Sequence, residues 1–243
     1  MSFIHNSNYP TLINKLICTK LTKLSDDLIF DSINTAQKYH KNKKKDNKRV
    51  VNFYFRNKLP KFSIQDWNKR KYDFVIVGRN IRQKGFFLLE NFINSVLAKA
   101  KSKPKILIVT NNKFAEFDIV SMKKRLKNNC GIDIKLNLEN KKVLKYLTKS
   151  KIYFCLSIFE GFGITVVEAL LCGCYIYTTN VGEQKNYLWS KRRKIIKETN
   201  NFINFHKISK IASSKSNYKK SIKILNKRVN VYTDQLEKII KRL

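Results

Sequence analysis

The sequence predicts an α/β fold built on a doubly wound parallel sheet. Three observations predict it. From Tyr72 to Asn180, short apolar runs alternate with stretches of helical periodicity. The apolar runs are rich in β-branched and aromatic residues, and Gly, Pro or polar turns bound them. The stretch Ser157–Leu188 compresses a Gly-rich turn, a helical pattern, a Gly stop and a second apolar run into one βαβ unit.

The elements follow in order. Residues 1–40 read as helical or mixed, with a short strand in Asp26–Phe30 and a short helix over Ser32–Tyr39. Residues 41–49 (KNKKKDNKR) hold no apolar position and read as a solvated loop. Val50–Phe55 (VVNFYF) reads as a strand, and Pro60 to Lys71 as a linker. Tyr72–Val77 (YDFVIV) is a buried strand ending at Gly78, followed by the basic loop GRNIRQKG. A helix is predicted over Phe86–Ala100, broken by Pro104, and a second strand over Lys105–Thr110 (KILIVT). A basic helix over Phe117–Asn128 is expected to end on Gly131 as its C-cap. A third strand spans Ile132–Leu136, a third helix Lys141–Lys149, and a fourth strand Ile152–Leu156. Tyr175–Thr178 supplies a fifth, and beyond Leu188 the chain reads as basic and helical to its end.

Composition narrows the function classes. The chain has 243 residues and 43% hydrophobic content, enough for a core and against global disorder. Lys and Arg number 51 against 17 Asp and Glu, a net charge of +34. Lys, Asn and Ile are abundant together and the lysines are scattered, the pattern codon bias produces. Such a charge still attracts anionic surfaces, a peripheral membrane among them. Sequence-specific nucleic-acid binding is not expected, because no RRM, zinc-finger or helix-turn-helix signature is present. Five cysteines without framework spacing read as reduced thiols. No signal peptide or membrane span is read, so a cytoplasmic chain is expected. Cys172 and Cys174 stand alone as a C-x-C, and His5, His40 and His206 are widely separated, so no metal set is read.

Two loops carry the chemistry. Both follow strands, so both are expected on the edge where open α/β sheets bind ligands. In the first, Arg79, Arg82 and Lys84 lie between Gly78 and Gly85. Arginine offers a planar fork to phosphate and lysine a point charge, so the loop reads as a diphosphate clamp or as a solvated basic loop. In the second, Glu160 precedes Gly161, Phe162 and Gly163, and the helix that follows carries Glu168. Its first amides can hold an anion. Glu160 can cap that helix or accept hydrogen bonds from sugar hydroxyls. Glu168 can reach a ribose diol or stay a surface charge.

Residues 72–188 resemble the C-terminal, donor-binding domain of family 4 glycosyltransferases of GT-B fold. The run SIFEGFGITVVEALLCGCYIYTTNVGEQKNYL is similar to that family's E-x7-E region, and VGRNIRQKG resembles its upstream basic loop. The resemblance implies a Rossmann-like domain over 72–190. It also implies a remnant of the acceptor domain and linker over 1–71, and a basic helical segment over 191–243. It implies that Arg79 and Lys84, with Gly78, bind the donor diphosphate and stabilise the leaving group. Glu160 would orient the donor sugar, which Gly161, Phe162, Gly163, Ile164 and Thr165 help to hold. Glu168 would bind the ribose, and the base would lie near Leu138. Transfer would be retaining, with no metal and no cofactor beyond the nucleotide-sugar substrate. The acceptor would be a glycan or a lipid.

The sequence departs from the family pattern at Leu156 and Tyr175, where prolines are usual, and in the 71 residues that precede Tyr72. The short N-terminal part lacks a Gly-rich loop and a site histidine. Two functional readings therefore stand. One is a transferase, working with a separate acceptor-domain subunit or as a homo-oligomer. The other is a donor-domain remnant that binds nucleotide sugar without transferring it.

Overall fold

In the computed structural model, the described residues are 2–4, 28–30, 48–50, 65–97, 103–112, 115–196 and 205–240. Near the N-terminus, strands β1 (Ser2–Ile4), β2 (Leu28–Phe30) and β3 (Lys48–Val50) pair in parallel, in that order. The strand expected in Asp26–Phe30 is present as β2. The helix expected over Ser32–Tyr39 and most of the Val50–Phe55 strand lie outside the described residues.

The main sheet has six parallel strands: β4 (Tyr72–Val77), β5 (Lys105–Thr110), β6 (Gly131–Leu136), β7 (Ser150–Cys155), β8 (Tyr175–Thr178) and β9 (Arg193–Ile195). Their order is β6-β5-β4-β7-β8-β9. Parallel strands need crossover connections, and here helices supply them: α1 (Leu89–Leu97), α2 (Ile119–Leu126), α3 (Asn140–Thr148) and α4 (Ile164–Leu171). A short α5 (Gln184–Tyr187) precedes β9, and α6 (Phe205–Ser213) and α7 (Lys215–Ile240) follow it.

The alternation of side chains along each strand divides the core in two. Phe74, Ile76, Ile106, Ile108, Ile152, Phe154 and Tyr177 face α1, α2 and α6. Val75, Leu107, Val109, Tyr153, Cys155 and Ile176 face α3, α4 and α7. Phe92 packs edge-on against Phe154 at 4.7 Å between ring centroids, while Phe74 stacks on Phe154 at 4.6 Å. Strands covered on both faces are expected to be continuously apolar, which is how these runs read. The α/β doubly wound class is therefore the observed one.

Besides the loop expected over 41–49, whose Lys48 and Arg49 lie in β3 instead, four local readings need correction. Residues 65–71 are docked rather than linking: Asp66 caps a turn at Trp67–Lys69, Trp67 enters the core, and Arg70 is buried. The Arg70 guanidinium donates to Ser150 O (2.6 Å) and Cys172 O (3.1 Å), which fixes the turn to the sheet. The segment Arg82–Leu88 forms two 3-10 turns around Gly85, so the helix begins only at Leu89. Gly131 opens β6, because α2 ends at Leu126 with Lys127 as its C-cap and a short turn leads into the sheet. The chain beyond Leu188 is not helical throughout, since β9 extends the sheet past residue 190. Its signal was hidden because Arg193 and Lys194 occupy an edge strand with a solvated side.

Candidate functional site

The winding reverses between β4 and β7, which pair directly: Phe74 opposes Ile152 and Val75 opposes Tyr153. The loops after these strands therefore leave the same sheet edge side by side. Ile158 N donates to Gln83 O (3.0 Å), and Gln83 Nε2 donates to Phe159 O (3.3 Å). Gly85 makes this approach feasible. Its φ is +75°, and a Cβ there would sit 2.0 Å from the Leu156 carbonyl oxygen.

At the junction, Lys84 Nζ lies 2.5 Å from Glu160 Oε1. Ser157 Oγ donates to the same oxygen at 2.7 Å, and Glu160 is buried. The other oxygen, Oε2, takes no partner among the described residues. Glu160 therefore does not cap α4. That position belongs to Gly163 (φ 80°), with no side-chain hydrogen bond. The first intrahelical bonds come from Val166 and Val167 to Gly163 O, which leaves the Ile164 and Thr165 amides at the open helix start. Ile164 is half-exposed.

Arg79 is exposed, and its guanidinium has no partner among the described residues. Arg82 is placed differently: its guanidinium lies over the Phe87 ring at 4.6 Å, and its amide donates to Glu116 Oε2 (2.7 Å). Of the three basic residues in the loop, Lys84 faces Glu160, Arg82 lies over Phe87, and Arg79 is exposed. Gly78 lies beneath the Lys84 stem, whose Cγ would be 3.5 Å from a Cβ added at Gly78.

Glu168 sits in α4 on the side facing α3. Asn140 Nδ2 donates to its Oε1 at 2.9 Å. Burial pushes its carboxyl above the ordinary carboxylate value, partly opposed by that hydrogen bond. Leu138 follows β6, two strands from β4, and packs against the second face of the core. Asn140, two residues further on, is the residue that reaches Glu168. Below the crevice, the Tyr153 hydroxyl donates to Val77 O (3.2 Å), and burial holds it well above its usual range.

The turn Gly161–Gly163 is buttressed by the end of the same stretch, Gly182 to Tyr187, to which the sequence analysis assigned no site role. Gly182 (φ +66°) presses on it so closely that a Cβ would lie 2.3 Å from Gly161 O. Glu183 N donates to Gly161 O (3.0 Å), and Tyr187 OH to Phe162 O (2.8 Å). The Phe162 and Tyr187 rings lie 5.0 Å apart. Thr179 Oγ1 donates to Ser157 O (2.5 Å), tying the end of β8 to the residue that holds Glu160. Ser157 had a legible signal, three residues before Glu160. Asn140 had none, since it is 28 residues from Glu168 in sequence. Among the described residues, no group of three His, Cys, Asp or Glu is placed to hold a metal ion.

The family model for glycosyl transferases group 1 matches residues 57–228, which include every strand of the main sheet and the whole site. The chain belongs to this family. As a group 1 glycosyltransferase it is 31% identical, over 108 residues, to the GPI3 subunit of phosphatidylinositol N-acetylglucosaminyltransferase from Saccharomyces cerevisiae. That match covers 44% of this chain and 24% of the yeast protein. Among solved structures it is similar to Anabaena HepE in complex with UDP, with a TM-score of 0.71 at 14% identity, covering 99% of this chain and 72% of that one. It is also similar to S. aureus TarM crystallised with UDP, with a TM-score of 0.69 at 17% identity, covering 98% of this chain and 49% of that one. At such identities the structural likeness speaks for the fold, the Rossmann-like α/β sheet of GT-B glycosyltransferases. The chain spans about a quarter of the yeast relative's length and about half of TarM's.

Proposed function

We propose that this group 1 glycosyltransferase is a family 4 enzyme that transfers a sugar from a nucleotide-diphosphate sugar to an acceptor hydroxyl. One observation carries the reading. The Lys84–Glu160 pair stands where the sheet reverses its winding, the crevice in which open α/β sheets bind ligands. Arg79 and Lys84 take the donor diphosphate, with the Ile164 and Thr165 amides adding the positive end of the α4 dipole. As the glycosidic bond breaks, negative charge grows on the diphosphate. Fixed donors aimed at growing charge are worth about 10²–10³ in rate apiece. Glu160 offers its second oxygen to the donor sugar, and Ser157 keeps the carboxylate in place. Glu168, oriented by Asn140, accepts from the ribose hydroxyls, and the base lies toward Leu138. Retention and independence of metal rest on the likeness of the E-x7-E stretch.

UDP is the first nucleotide to test, because the HepE and TarM crystals named above contain it. A lipid acceptor is favoured over a glycan by the yeast relative, whose name specifies phosphatidylinositol. That name also calls the relative a subunit, which favours a second reading: a donor-binding chain that transfers only with a partner. Calorimetry with UDP, UDP-sugars and GDP-sugars tests both. We expect saturable binding, weakened about tenfold or more by Arg79→Ala or Glu168→Ala, the loss of one charge-assisted hydrogen bond. Binding of none of these ligands would overturn both readings. Binding without turnover on lipid and glycan acceptors would favour the second.

A further inference from the structure

The outward face of α7 is a lysine surface. Lys215, Lys219, Lys223 and Lys227 recur every four residues, so they share one side of the helix, and Lys220 lies beside them. All five are exposed, whereas Ser221 and Leu225 on the opposite side are fully buried. Over three turns the stripe is about 18 Å long. The helix has no acidic residue before Asp234, and none of the five lysines forms an ion pair with a described residue. Like charges four apart weaken a helix, so this spacing works against the element that carries it. At the border of the stripe stands Trp189, half-buried, with Lys220 Nζ 5.0 Å and Lys191 Nζ 5.8 Å from its ring.

We infer that this face docks on an anionic phospholipid surface. The stripe contains lysine and no arginine. Phosphates and base edges in nucleic acids are gripped in bidentate fashion chiefly by the planar guanidinium fork of arginine, whereas a diffuse sheet of head groups needs only point charges. A partly exposed tryptophan flanked by ammonium groups is the side chain suited to the boundary between head groups and acyl chains. The lysine face lies on α7 and the nucleotide crevice at the strand ends, so membrane docking and donor binding are separable. The inference goes beyond the transfer reading and does not depend on it.

The test uses the full chain and vesicles of phosphatidylcholine with or without phosphatidylserine. Co-sedimentation is expected only with the anionic vesicles. The chain has two tryptophans, and Trp67 is 5% exposed, so a blue shift of emission on binding reports Trp189. Each lysine at such a surface contributes roughly fivefold, so replacing Lys215, Lys219, Lys223 and Lys227 together by Gln should lower vesicle affinity roughly several-hundred-fold. These positions are solvent-exposed, and an unchanged far-UV circular dichroism spectrum of the same variant serves as the control for folding. Three outcomes overturn the inference. One is equal sedimentation with neutral and anionic vesicles. The second is undiminished vesicle binding by the quadruple variant. The third is tighter, equally lysine-dependent binding to double-stranded DNA, which would make the face a nucleic-acid surface.

Discussion

At the residue scale, Glu168 shows how function and stability pull apart. Its carboxyl is partly buried, and burial raises its pKa above the ordinary value of 4.5. A group whose folded pKa is raised favours the folded state in full below its unfolded pKa. That contribution is lost as pH rises through the folded value. Near neutral pH the charged Glu168 is therefore a liability to the fold. Glu168→Gln should unfold at a higher temperature than the parent near neutral pH, and at the same temperature well below pH 4.5. On the proposed ribose contact, the same change should cost about tenfold in UDP affinity, because an amide is a poorer acceptor for hydroxyls than a carboxylate. Calorimetric scans and titrations read the two effects separately, and a loss of stability near neutral pH would contradict this account. Lys84 and Glu160 show the complementary case, a carboxylate held by an ammonium and a hydroxyl on one oxygen, with no partner among the described residues on the other.

At the scale of elements, the site depends on two loops meeting and on one helix being open at one end only. The meeting rests on Gly85. Any side chain there would demand a left-handed backbone and collide with the Leu156 carbonyl. Gly85→Ala should cost about 3 kcal/mol or more. Gly131→Ala, whose Cβ would meet only Lys105 Cγ at 4.0 Å, should change stability by less than about 0.5 kcal/mol. Urea midpoints compare the two, and equal losses would remove the close approach as the cause. The helix α4 has its first amides free, but its other end is closed. Tyr218 OH donates to Leu171 O, Arg70 to Cys172 O, and Arg192 to Gly173 O and Cys174 O. Arg192 is 1% exposed, and burial lowers its pKa to about 10. Both guanidiniums offset the negative end of the α4 dipole from within the protein. Burial holds the Cys174 thiol up at about 11, against the lowering pull of Arg70 and Arg192, and burial pushes Cys172 higher still, so neither is a ready nucleophile.

At the scale of the whole molecule, a net charge of +34 means that the folded chain repels itself. The few ion pairs among the described residues that involve well-covered groups, Lys84–Glu160 and Lys151–Asp73, do not offset it. Added salt screens the repulsion, so the melting temperature should rise from low to physiological ionic strength. A melting temperature that falls with salt, read by scanning fluorimetry, would mean that favourable pairs dominate. The excess is also unevenly used. The core of the sheet is apolar on both faces, and five lysines gather on one side of α7.

Most of the architecture was legible because each buried strand is a short apolar run and each crossover shows helical periodicity. Both signals are local. The two loops were legible for the same reason: glycines, bases and acids at fixed spacing next to strand ends. Misreadings fell where tertiary contacts override local pattern. Residues 65–71 are polar in sequence yet held by Arg70, and β9 is basic because an edge strand tolerates it. By itself the sequence determined the α/β class, the order of elements from β4 to β8 and the residue types of the two loops, because these follow from periodicity and turn chemistry. Only the tertiary structure decided which groups meet. Lys84 reaches Glu160 across 76 residues, Asn140 reaches Glu168 across 28, and Arg82 turns away onto Phe87. Strand order sets those distances, and strand order is fixed by packing between elements remote in the chain.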